Sequence, residues 1–152
     1  MEAGTDRVTK KRVLFLCKAN RCRSQMAEAL VNHDLGGRYE AFSAGTAPKV
    51  PHPLALRVLS EQGIEHRDAR SKYMDEFAHE TFDHVITLCD IANETCPVYF
   101  GGAKRIHIGF DDPEKATGTE DEILGVFRRV RDEIRVRIEE YLTAEDNRKD
   151  CE

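Results

Sequence analysis

The residues Cys17-Lys-Ala-Asn-Arg-Cys-Arg23-Ser24 put a thiol and a guanidinium at the two ends of a short loop, and that combination suits an oxyanion. Loop N–H groups and the positive end of a following helix favour negative charge, and Arg23 adds a planar two-pronged donor. The same field lowers the pKa expected of Cys17, because a thiolate beside a guanidinium at a helix N-terminus is stabilised over the thiol. Cys17 is therefore a candidate nucleophile. Ser24 can donate a hydrogen bond to its thiolate and improve it as a leaving group in a covalent mechanism. Asn20 can brace the loop in an awkward backbone conformation.

The elements around the loop are legible. Arg12-Val-Leu-Phe-Leu-Cys17 is an apolar run of the kind found in a buried strand. Met26, Ala27 and Leu30 then recur at helical spacing from Arg23, and Gly36-Gly37 supplies a stop. Tyr39 to Ser43 reads as a second strand ending at Ala44-Gly45-Thr46. Pro53 opens a helix carrying Leu54, Val58 and Leu59 before Gly63. His84 to Cys89 is a third strand with a cysteine at its carboxyl end, and Lys104 to Ile108 a weaker fourth before Phe110-Asp-Asp-Pro113. Thr119 and Glu122 fit a capping box, and Ile123, Phe127, Val130, Ile134, Ile138 and Tyr141 make the apolar stripe of a last helix.

This alternation predicts an α/β fold: a single domain with a four-stranded parallel sheet, helices on both faces, and ligands at the carboxyl ends of the strands. A chain of 152 residues supports one core. Residues 1–11 read as a frayed tail, 12–142 as the domain and 143–152 as a charged tail. The net charge of −5 leaves no broad basic footprint, so no nucleic acid is expected and any anion site must be local. No apolar run approaches a membrane helix, and the charged opening Met1 to Arg12 lacks a secretory signal, so neither membrane nor export is expected and the chain belongs in the cytoplasm. The cysteines are Cys17, Cys22, Cys89, Cys96 and Cys151, an odd set of 5 that suits reactive thiols in a reducing compartment. His79 and His84 would diverge on a helix, so they read as surface residues and no metal set is expected.

The loop, with the apolar strand before it and the helical pattern after it, resembles the Cys-x5-Arg-Ser/Thr signature of the low-molecular-weight protein tyrosine phosphatase superfamily. Ser43-Ala-Gly-Thr46 and Asp112-Pro113 are similar to two further motifs of that superfamily, so the resemblance runs from Val13 to about Leu142. Phosphate and arsenate are near-isosteric, so the loop alone does not separate a phosphatase from an arsenate reductase. Reduction takes two electrons and needs further thiols, for which Cys89 and Cys96 are candidates. Ile86-Thr-Leu-Cys89-x6-Cys96-Pro97, and His107 to Pro113 followed by Gly118-Thr119, resemble thioredoxin-coupled arsenate reductases. The tyrosine phosphatases usually carry aromatic residues after Asp-Pro, whereas Glu114 and Lys115 follow Pro113 here, and there is no Trp.

The resemblance implies that Cys17 attacks arsenate held by Arg23 and the loop Cys17, Lys18, Ala19, Asn20, Arg21, Cys22 and Arg23, with Asp112 rather than Asp111 as general acid. It further implies that Cys89 releases arsenite by attacking Cys17, and that Cys96 carries the disulfide outward to thioredoxin across a segment, 90–95, that could be a mobile helix. No cofactor is implied, phosphate or sulfate would compete with arsenate, and a monomer is expected. The alternative is a phosphatase acting on phosphotyrosine or a small phosphate ester. Family loops commonly have Thr, Gly and Ser where this chain has Lys18, Ala19 and Arg21; the added cations either deepen the positive potential or point outward to solvent, and Ala19 must tolerate the angle that glycine supplies. Some of these reductases hold a monovalent cation behind the loop. Asn20, Glu28 and Ser43 match that support, but Arg70-Ser71-Lys72 stands where an acid is expected, so a lysine ammonium can stand in for the ion. Cys22, shared with the phosphatases, and Cys151 are left out of the relay.

Overall fold

The computed structural model describes residues 10–66, 68–90 and 102–151. Its elements are β1 (Lys11–Cys17), α1 (Arg23–Asp34), β2 (Tyr39–Gly45), α2 (Pro53–Ser60), β3 (His84–Thr87), β4 (Lys104–His107) and α3 (Glu120–Cys151), with 3-10 turns at Met74–Phe77 and Pro113–Lys115. The strands form one parallel sheet in the order β2-β1-β3-β4. β1 is interior, flanked on both sides, which is why Val13 to Leu16 form a continuous apolar run with no exposed surface. Leu14 stands opposite Phe42 on one side and Val85 on the other.

Alternate strand residues feed two cores. Val13, Phe15, Ala41 and Ile86 meet α1, α2 and α3, while Leu14, Leu16, Ala44 and Val85 meet Met74 and Phe77 of the first 3-10 turn and Phe82. One face of the sheet thus carries the three α-helices, and the other, among the described residues, carries that turn and the aromatic cluster of Phe42, Phe77 and Phe82.

Local sequence sets the helix starts. His52 accepts a hydrogen bond from the Leu54 N–H ahead of α2, with Pro53 at its first position. Thr119 and Glu122 form the reciprocal capping box: Thr119 N–H donates to Glu122, and Glu122 N–H donates to Thr119 Oγ1. Such a cap contributes about 1 kcal/mol. Along α3 the fully buried stripe is Leu124, Phe127, Val130, Ile134, Ile138 and Leu142, with Ile123 and Tyr141 only half-buried beside it, a shift of one residue from the expected edges.

Two further expectations are corrected. The charged residues after Leu142 are not a tail: α3 continues to Cys151, because Asp146 pairs with Lys11 and Arg38, Lys104 pairs with the buried Glu145, and Tyr39 Oη donates to the Leu142 carbonyl. The chain folds its polar end back onto the amino-terminal edge of the sheet. His84 is not a surface residue either; it is buried at the start of β3, edge-on to Tyr141. Among the described residues no helix is long and apolar enough to cross a membrane.

Candidate active site

The loop 17–23 leaves the carboxyl end of β1, the position that a parallel sheet reserves for ligands. Its carbonyls are engaged on one side by the segment after β2: Thr46, Ala47, Lys49 and His52 donate to the carbonyls of Cys17, Lys18, Ala19 and Arg21 at 3.2, 2.8, 2.9 and 3.2 Å. This leaves the loop's N–H groups as the polarity available to an anion. α1 begins directly after Cys22 with no side-chain cap, so its first amides are likewise open to a ligand. Gly45 permits the close approach of β2, since a Cβ there would stand 2.6 Å from the Lys18 carbonyl oxygen.

The strained residue is Asn20, with φ of 50°, and not Ala19. A left-handed residue costs roughly 1–2 kcal/mol, and here a net of bonds offsets it. Asn20 Nδ2 donates to Ser24 Oγ at 2.7 Å, and Oδ1 accepts from Lys72 N–H at 2.9 Å. Its carbonyl accepts from Ser71 Oγ at 2.6 Å and Gln25 Nε2 at 2.9 Å. Below this net Glu28 accepts from Ser43 Oγ at 2.5 Å and faces the Lys72 ammonium at 3.8 Å. Lys72 also donates to the Arg70 carbonyl at 2.7 Å, and burial lowers its pKa while Glu28 opposes the shift. His66, lowered by burial, bonds Gln25 Oε1 at 2.9 Å. A lysine ammonium therefore occupies the charge position next to Glu28. Among the described residues, no group of three or more His, Cys, Asp or Glu side chains could hold a metal ion.

Above the loop lies a pocket of about 180 Å³ lined by Cys17, Lys18, Ala19, Arg21, Cys22, Arg23, Ala47, Lys49, Asp112 and Glu114. Arg23 donates to the Phe110 carbonyl at 3.1 Å and lies 3.7 Å from Asp112, which places one guanidinium between the loop and the Asp-Pro turn. Its Nε is buried with no hydrogen-bond partner, a donor that a bound oxyanion would satisfy. Asp112 is 25% exposed and accepts from Glu114 N–H at 3.0 Å. Asp111 is 76% exposed and pairs with Arg129 at 3.3 Å, away from that pocket's lining. A second hollow of about 610 Å³, lined by Asp111 as well, adjoins through Lys18, Arg23 and Asp112 and reaches Cys89.

Cys17, only 3% exposed, and Cys89 share one buried cluster at the ends of neighbouring strands. The Cys17 thiol is pushed well up, first by its interaction with Cys89 and then by burial, with Arg23 and the Lys18 N–H pulling it down. This reverses the lowering expected from the loop and helix alone. Cys22 is also pushed up, by burial and by Glu114 and Asp112. Ser24, fully buried, accepts from Asn20 and makes no hydrogen bond to Cys17 in this state.

The sequence candidates Cys17, Arg23, Asp112 and Cys89 thus converge, with Asn20, Ser24, Glu28 and Ser43 beneath them. Cys96 and residues 91–95 lie outside the described residues. Sequence reasoning missed Gln25, His66 and Lys49, and named Ser71 only within Arg70-Ser71-Lys72. It noted Glu114 only as a non-aromatic residue after Pro113.

Residues 12–150 match the family model of the low molecular weight phosphotyrosine protein phosphatases. The chain is 42% identical over 134 residues to an arsenate reductase of Halalkalibacterium halodurans, covering 88% of this chain and 96% of that protein. It is 41% identical over 131 residues to the arsenate reductase of Bacillus subtilis, covering 86% and 94%. Among solved structures, an arsenate reductase in the phosphate-binding state superposes with a TM-score of 0.73 at 30% identity, over 88% of this chain and 98% of that one. A thioredoxin-dependent arsenate reductase of Corynebacterium glutamicum gives 0.68 at 29%, over 93% and 66%.

Proposed function

The chain belongs to the low molecular weight phosphotyrosine protein phosphatase family, and from that premise we propose that it is an arsenate reductase working through a relay of cysteine thiols. The observation that carries the reading is the juxtaposition of Cys89 with Cys17, the two thiols being neighbours beside Arg23 and Asp112. Phosphate ester hydrolysis needs one nucleophile and one acid; a second thiol against the first has work only in a redox reaction. The named relatives add weight, since they are arsenate reductases over nearly the whole chain.

The Cys17 thiolate attacks the arsenic of arsenate, which the loop amides and Arg23 hold. An As–O bond breaks, and Asp112 gives its proton to the departing oxygen, which leaves as water. Cys89 then attacks the sulfur of Cys17. The S–As electron pair passes to arsenic, As(V) becomes As(III), arsenite leaves, and a Cys17–Cys89 disulfide remains. Cys96 attacks Cys89, restoring the Cys17 thiol and leaving Cys89–Cys96 for a dithiol reductant, in this reading thioredoxin. Two electrons leave the thiols for each arsenite formed. Because the folded site keeps a proton on Cys17, arsenate entering as the dianion takes that proton onto the oxygen that later departs, leaving the thiolate beside Arg23. The loop and acid alone suffice for ester hydrolysis, so a weak phosphatase side activity belongs to the same proposal.

The test is arsenate-dependent NADPH oxidation with thioredoxin and its reductase, run beside glutaredoxin and beside p-nitrophenyl phosphate. Turnover with thioredoxin that exceeds the ester rate supports the reductase. Ester hydrolysis without any arsenate-dependent oxidation would return the chain to the phosphatases.

A further inference from the structure

We infer that Arg21 and Glu114 form a strap across the mouth of the oxyanion pocket that sets the size of what can react there, admitting a bare tetrahedral oxyanion and disfavouring an organic ester. The inference rests on the pocket being the reactive site of the proposed function.

The pocket has a floor and a rim. Cys17, at 3% exposure, is the floor, whereas the side chains of Arg21 and Glu114 are 24% and 29% exposed. Arg21 Nη1 is ion-paired with Glu114, and its Nε donates to the Val50 carbonyl at 2.7 Å. A single guanidinium therefore touches three segments at the rim: the oxyanion loop that carries it, the stretch after β2 and the Asp-Pro turn. The stretch after β2 is itself laced to the loop by the amides of Ala47, Lys49 and His52, so moving it aside to make room would break those bonds. Glu114 is coupled to the acid as well, because its N–H donates to Asp112 Oδ1 at 3.0 Å.

The stereochemistry of displacement makes this position decisive. The leaving oxygen departs on the side opposite the attacking sulfur, beside the group that protonates it. For arsenate that oxygen carries nothing but a proton. For an ester it carries the organic group, which must extend past Asp112 into the space that Glu114 and Arg21 close. The pair also presents two charges to a substituent that would arrive apolar, with no aromatic side chain among the pocket's lining residues to receive it. An ion pair this exposed is weak, so the strap discriminates without sealing the pocket.

The experiment is protection of Cys17 from iodoacetamide, followed by peptide mass spectrometry, with inorganic phosphate and phenylphosphonate as competing ligands. Wild type, Arg21→Ser, Glu114→Gln and the charge swap Arg21→Glu/Glu114→Arg are compared, with arsenate turnover measured in parallel. We expect phosphate to protect wild type well and phenylphosphonate poorly, the gap to narrow about threefold to fivefold in both single variants, as the loss of a weak ion pair allows, and the swap to restore part of it. An unchanged ratio in Arg21→Ser and Glu114→Gln overturns the strap, as does a parallel loss of both ligands, which would make Arg21 only a loop charge. Failure of phosphate to protect wild type overturns the pocket and the strap together. A shifted ratio without arsenate turnover would sink the reductase reading and leave the strap standing.

Discussion

Cys89 stands beside Cys17 because β3 is the neighbour of β1 in the sheet: Thr87 is in register with Leu16, and the Leu88 N–H donates to the Leu16 carbonyl at 2.8 Å. The two chains thereby leave the sheet side by side, each ending in a thiol, and Cys89 is the largest influence holding the Cys17 proton in place.

Replacing Cys89 by Ala should therefore move the ionisation of Cys17 to lower pH, because it removes the largest upward influence and leaves Arg23 in place. The rate of Cys17 alkylation measured against pH reads this directly. A profile that moved upward or stayed put would mean that burial, not the second thiol, governs the nucleophile.

The relay predicts an order among cysteine variants. Cys17→Ser should lose both arsenate reduction and ester hydrolysis. Cys89→Ser should bind arsenate without releasing arsenite. Cys96→Ser should release one arsenite per chain and stall as a Cys17–Cys89 disulfide, visible by peptide mapping of alkylated, non-reduced protein. Repeated thioredoxin-driven turnover by Cys96→Ser would remove that residue from the mechanism.

Asp112→Asn should slow the chemical step by ~10²–10⁴-fold, the usual contribution of general acid catalysis. Asp111→Asn should cost far less, since that side chain lies at the surface against Arg129. Single-turnover rates of arsenite release decide between them, and the opposite ranking would move the acid to Asp111.

A pH effect on stability is expected far from the site. Burial, and then Asp34, raise the pKa of Glu139 to about 8, while Arg135 holds Asp34 well below the usual range. The folded chain keeps a proton on Glu139 that the unfolded chain loses near the ordinary carboxyl value. Stability should fall as pH rises from there to about 8 and level off above it. The Asp34 contribution stays intact through this range and is lost only in acid. Discounted for partial exposure to roughly 1 kcal/mol, the Glu139 effect corresponds to ~2–4 °C, so Glu139→Gln should melt that much higher at pH 8.5 and match wild type near pH 5. Equal melting temperatures at both pH values would refute the assignment.

What the sequence determined by itself was local. The apolar run Val13 to Leu16 marks a strand walled in on both sides, Thr119 with Glu122 starts a helix, and a thiol and a guanidinium flanking a strand-to-helix loop mark a candidate anion site, because period, cap and loop each involve residues a few positions apart. Asp112 and Cys89 were also singled out from sequence as candidates, but only through motifs, not through any proximity that the chain displays. The tertiary structure decided everything that depends on which distant segments meet. Sheet order sets Cys89 against Cys17 and reverses the expected direction of its pKa. Docking of the Asp-Pro turn puts Asp112 inward, Asp111 outward and Glu114 on Arg21. Packing against β1 and β4 turns an apparently loose charged end into the last turns of α3, since Asp146 and Glu145 find Lys11 and Lys104 only once the strands are assembled. Charges carry no periodicity that announces a partner, so their pairing is written in the fold and not in the run of residues.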